Sequence, residues 1–154
     1  MPIAEFYESF WLALGGLNAD LAASRAAWPH THSNSYRGVP IAGTRIYALG
    51  NFKERYRDVV AGRGRRDVCV SFYTDHRDDA AWGHLLTRLR VESSPVDRAT
   101  VVIDLDPGKH TAAQVLFVHR RIEWANSTPD IPALAAWMVE GHRALVDFAS
   151  RSEN

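Results

Sequence analysis

At 154 residues the chain has the length of one domain, enough to bury a self-sufficient core. Its 18 basic and 18 acidic residues cancel, so whole-protein charge argues for neither a nucleic-acid partner nor a membrane surface. A single cysteine, Cys69, excludes an internal disulfide and fits a reducing cytoplasm.

Five Trp, five Tyr and six Phe exceed what a disordered chain carries. The opening residues, MPIAEFYESFWLALGG, place acids where a signal peptide needs positive charge. No apolar run approaches the ~18 residues of a membrane span. These features together predict a soluble, cytoplasmic protein with no membrane partner. Local charge is uneven. Residues 51–66 hold six basic and two acidic side chains, net +4, whereas residues 122–154 hold two basic and five acidic, net −3.

In chain order, residues 3–14 predict an amphipathic helix, with Phe6, Phe10 and Leu14 at helical spacing beside Ile3, Tyr7 and Trp11. Gly15-Gly16 interrupts it, and a helical pattern resumes over 17–28 until Pro29. Two short strands are predicted at 35–39 and 44–49, joined by the turn-like GVPIAG. Residues 52–60 read as a short helix or a ragged strand, and 61–67 as a basic loop. DVCVSFYT alternates as a strand that sets Val68, Val70 and Phe72 on one face. DHRDD then opens a helix striped by Trp82, Leu85, Leu86 and Leu89. ATVVIDL is a strand with Val101, Ile103 and Leu105 as its apolar set, and DPGKH is a turn. AQVLFVHRRIEW is a long strand, bulged or bent near Arg120. STPDIP caps a last helix over 131–149. The expected fold is a single α+β domain: a mostly antiparallel sheet backed by helices, in the order α-β-β-β-α-β-β-α.

Three constellations could carry chemistry. The first is metal binding. His30 and His32 lie two apart in PHTHSNSYRG, and Asp104 and Asp106 lie two apart in IDLDPG. Paired carboxylates at a strand end suit a divalent ion, and His119 is a further candidate nitrogen ligand. The IDLDPG stretch resembles the acidic motif of archaeo-eukaryotic primase-type polymerases. Equally, the two histidines read as the polar turn that opens a hairpin, and Asp106-Pro107-Gly108 as a plain turn. The second is phosphate binding by Arg55, Arg57, Arg63, Arg65 and Arg66, with Tyr56 available to stack on a base. The bland reading of that run is a solvated loop. The third is Cys69, which a strand pattern makes a buried structural thiol rather than a nucleophile. His142, on the apolar face of the last helix, reads as a satisfied core histidine. A P-loop, a Gly-x-Ser-x-Gly elbow and a His-Glu-x-x-His helix are absent from the sequence. A nuclease of the PD-(D/E)xK type would need a lysine two residues after Glu123, where Ala125 stands.

The stretches FYESFW, HSNSYRGVPIAGTRIYA, DVCVSFYTDHRDDAAWGHLLTRL and PDIPALAAWMVEGHRALVDFASR occur in that order. Together they resemble the DUF4268 family of bacterial and archaeal domains. They match its aromatic-rich first helix, its first hairpin, its strand followed by an amphipathic helix, and its closing helix with an internal Trp. VESSPVDRATVVIDL departs from the family's Glu-rich run. The resemblance implies no catalytic residues. Family members often occur beside, or fused to, restriction-modification and other defence components, which implies a nucleic-acid-linked accessory role.

Two functions follow as expectations. One is an accessory or binding module without a cofactor, associated with nucleic acid or a partner protein in bacterial defence or DNA handling. The other is a small metal-dependent hydrolase or nuclease using a divalent ion. The aromatic content also leaves room for an exposed apolar patch and a homo-oligomer.

Overall fold

The structure, a computed structural model, describes residues 3–24, 35–54, 61, 64–104, 111–123 and 129–151. Its elements follow the apolar periodicities of the chain. Helix α1 spans Ile3–Gly15 and α2 spans Ala19–Ala23. The Asn18 side chain caps α2 by accepting a hydrogen bond from the Leu21 N–H at 3.0 Å. Helix α2 stops at Ser24, whose backbone is extended, so the described part of the helix expected over 17–28 is a single short turn.

Strands β1 (Tyr36–Pro40) and β2 (Ile46–Lys53) form the expected hairpin. Its turn uses Gly43 at φ +78°, where a side chain is disfavoured, and closes with Ile41 N–H donating to the Ile46 carbonyl at 2.8 Å. Strand β3 spans Arg65–Thr74, and α3 follows at Ala80–Val91. Strand β4 covers Thr100–Asp104 and β5 covers Ala113–Glu123. The last helix, α4, covers Ile131–Ser150. Asp130 caps it by accepting from the Ala133 N–H at 3.1 Å, with Pro132 in the first turn.

The five strands make one sheet in the order β1-β2-β3-β5-β4, with every neighbouring pair antiparallel. The protein is α+β. Strand β5 is inserted between β3 and β4, so α3 carries the chain across it. Each helix among the described residues contributes buried side chains to one cluster on a single face of the sheet, including Phe10, Leu21, Trp82 and Met138. Val68, Val70 and Phe72 supply the sheet side, as their alternation predicts.

Aromatic rings hold α1 to β2. Phe52 meets Phe6, Tyr7, Phe10 and Trp11 with ring centroids 4.8–6.0 Å apart, mostly edge to face. Arg37 fastens α2 and β1 to the same corner. Its Nε donates to the Ala22 carbonyl at 3.1 Å, and its guanidinium lies 4.6 Å from the Trp11 ring centroid. His142 is the satisfied core histidine that its position implies, with Nε2 3.1 Å from the Ala48 carbonyl oxygen. Burial lowers its pKa below the ordinary 6.5, against the opposing pull of that carbonyl.

One expectation is overturned. Val101 and Ile103 are not an inward face: they are 50% and 60% exposed, and Val102 is the residue that packs against Leu116. The alternation is real, but β4 is an edge strand, and the helix layer does not reach Val101 and Ile103.

Phe52→Ala should cost about 3–5 kcal/mol, the range for losing a fully buried aromatic. Urea unfolding followed by circular dichroism checks this. The midpoint should fall while the denaturant slope stays constant.

Candidate nucleic-acid interface

Antiparallel register, more than sequence proximity, assembles the basic surface. Lys53 pairs with Asp67, and Asp67 in turn with Arg121. Arg65 pairs with Glu123, Arg66 with Ile122, and Val68 with Arg120. One end of the sheet therefore carries Lys53, Arg65, Arg66, Arg120 and Arg121. Three carboxylates stand among them: Glu54, Asp67 and Glu123. Five cations against three anions leave +2 on the described residues of this end.

Cross-strand partners share a face, so the cations divide between the two faces. Arg121 meets Asp67 on the face away from the helices, at 3.2 Å from Nε to Oδ1. Asp67 is buried, so that pair is shielded on the carboxylate side. Arg65 pairs with Glu123. On the helix side, Arg66 pairs with Glu54 and reaches the Tyr7 hydroxyl. Burial raises the pKa of that hydroxyl, and the Arg66 charge opposes the rise. Arg120, opposite the core residue Val68, is also on the helix side and is exposed.

The ladder has one irregularity. Between Val68 and Cys69 the register shifts, because Val68 faces Arg120 while Cys69 faces Val118. His119 is the extra residue of a β-bulge, which is the bulge expected near Arg120. Its ring stacks on Trp137 of α4, with centroids 4.5 Å apart and planes 16° apart. Burial, and then the Arg120 charge, lower the His119 pKa below the ordinary 6.5. Both effects disfavour the charged imidazole.

The face away from the helices has a polar centre. Gln114 Nε2 donates to Ser71 Oγ at 3.0 Å, and Ser71 Oγ donates to Asn51 Oδ1 at 2.9 Å. Cys69 Sγ also donates to Asn51 Oδ1, at 3.3 Å. All four residues are buried. Cys69 is thus the buried thiol its strand position implies, and its sulfur has oxygen partners.

Of the nominated phosphate-binding residues, Arg65 and Arg66 fall at this end of the sheet. Arg55, Arg57 and Arg63 lie outside the described residues, as do the metal candidates His30, His32 and Asp106. Asp104 ends β4 opposite Gln114, and Gln114 is five strand positions from His119, roughly 16 Å away at strand rise. Among the described residues, no three His, Cys, Asp or Glu side chains cluster as a metal site. Sequence reasoning missed Arg120 and Arg121. Their only signal was an Arg pair inside a strand that is otherwise apolar, and it became meaningful once β5 was placed against β3.

No family model matches the chain, and neither a curated protein nor a solved structure matches it. Among the described residues, no helix is long and apolar enough to cross a membrane.

Two substitutions test this geometry. Arg120→Gln should raise the His119 pKa toward 6.5, read from the ring-proton shifts in an NMR titration. A neutral-favouring fold of this kind is most stable above about pH 6.5 and loses that contribution as pH falls through the lowered folded value. In Arg120→Gln the loss should be complete closer to 6.5 and be smaller. Ser71→Ala should cost about 1–3 kcal/mol in urea unfolding, because it leaves Gln114 Nε2 buried without its acceptor.

Proposed function

We propose that the protein is a non-catalytic α+β binding module that holds the phosphate backbone of nucleic acid at the basic end of its sheet. The observation that carries this reading is the register that sets Arg120 and Arg121 across from Val68 and Asp67, beside Arg65 and Arg66. The net +4 segment at 51–66 belongs to the same region of the chain and leads into β3. Arginine is the cation suited to this work, because its planar fork takes two phosphate oxygens at once. The ion pairs to Glu54 and Glu123 do not oppose the reading. They are partly exposed and orient their guanidiniums at the end of the sheet. Neutralised phosphates release counterions, so binding through this surface must weaken as salt rises.

The setting, bacterial defence or DNA handling, rests on the DUF4268 resemblance and the motifs that carry it. The metal-dependent hydrolase is the weaker reading, because His119 stacks on Trp137 and its strand position is far from Asp104.

Fluorescence anisotropy with a labelled oligonucleotide across a salt series provides the test. Arg120→Ala should weaken binding about equally for all sequences and reduce the salt slope by about 1. Arg90→Ala, on the exposed side of α3, serves as the control. Binding by Arg120→Ala with wild-type affinity and slope would refute the assignment of this surface.

A further inference from the structure

A cavity of about 300 Å³ lies beside the basic end, between the turn at 95–97 and α4. That volume is at the low end of ligand-sized sites. Trp137 and Gly141 form part of its wall, and the acidic residues Asp97 and Glu140 are among those that line it. The Trp137 ring in this wall is the one against which His119 stacks, and Arg120 is close enough to His119 to lower its pKa. Arg120 thus adjoins the His119 member of the aromatic pair, and Asp97 and Glu140 share a cavity lining with the Trp137 member.

We infer that this cavity takes the guanine base of a single-stranded nucleic acid whose phosphates lie on the neighbouring Arg120. The inference rests on the function proposed above and adds what the site reads. The chemistry narrows the ligand in three steps. The indole gives an apolar, π-rich wall, against which any base can pack. The two carboxylates accept hydrogen bonds and donate none, so the ligand edge that meets them must donate. They also repel phosphate, so the base enters the cavity and the backbone stays outside with Arg120. Of the common bases, guanine alone offers two adjacent donors, N1–H and the 2-amino group, on its Watson–Crick edge. A carboxylate takes both at once. Adenine and cytosine offer a single amino group beside an acceptor, and thymine or uracil offers one N–H between two carbonyls. Single strands are the form that exposes this edge.

The test uses labelled oligothymidylate and the same oligomer carrying one central guanine or one central hypoxanthine, at low salt. The guanine oligomer should bind at least about fivefold more tightly than oligothymidylate, the lower bound for one good bidentate contact. Hypoxanthine lacks the 2-amino group and should lose most of that gain. Glu140 is exposed, so Glu140→Gln can be made without disturbing the core. Either Glu140→Gln or Asp97→Asn should reduce the guanine preference while leaving oligothymidylate binding at least as tight as before. Free guanosine, which carries no phosphate, should compete with the guanine oligomer, as a site for the base requires. Equal affinity for all three oligomers, with a normal salt slope, overturns the base pocket and leaves the backbone reading standing. Binding of guanosine without any binding of oligothymidylate keeps the pocket and overturns the strand. Binding of an arginine-rich peptide through Glu140, with no binding of any oligomer, overturns both.

Discussion

The seating of α4 on the sheet is the constraint on which the other features depend. Two glycines set its depth. A Cβ on Gly141 would lie 3.1 Å from a methyl of Val70, and a Cβ on Gly50 would lie 2.6 Å from the Met138 sulfur. Met138 of the helix therefore enters a space that β2 leaves open, and Val70 of β3 does the same beneath the helix. With α4 held at that depth, His142 reaches the Ala48 carbonyl and Trp137 lies flat against His119. A side chain at either glycine would lift the helix and separate those contacts together. Interiors packed at crystal-like density do not absorb such a shift locally.

The two faces of the sheet follow different physics. The helix side is dry and aromatic, and non-directional burial there rewards any arrangement that excludes water. The other side is fixed by hydrogen bonds among Gln114, Ser71, Asn51 and Cys69, which are directional and require one register. Asn51 and Ser71 are diagonal neighbours on adjacent strands, since Ser71 sits opposite Leu49. A slip of one residue would carry these polar groups into the aromatic cluster. The buried polar row thus secures the alignment of β2, β3 and β5, and with it the convergence of their charged ends.

How much of this was legible in the sequence depends on the range of the interaction. Helix α4 was readable because its eight buried positions recur at helical spacing within one segment. The bulge in β5 was readable because two arginines interrupt an apolar strand. The β4 face was misread: Val101 and Ile103 have the right period, but only strand order reveals that they sit at an edge. Asn51, Ser71 and Gln114 looked like ordinary solvent-side residues of half-buried strands. Their contact spans 20 and 43 residues of chain, which no local pattern encodes. The same holds for Arg120 and Arg65. A basic run is visible to anyone reading along the chain, whereas a basic surface drawn from two strands appears only once they are paired.

The bulge at His119 has a different consequence. Val118 faces Cys69 and Arg120 faces Val68, so the register steps by one residue at His119, and without that residue the two pairs would follow each other in an uninterrupted ladder. A chain one residue shorter there could close the same sheet and keep both arginines on their present faces. Sheet pairing then places no demand on that position, and its tenant is free to change with whatever α4 presents to it.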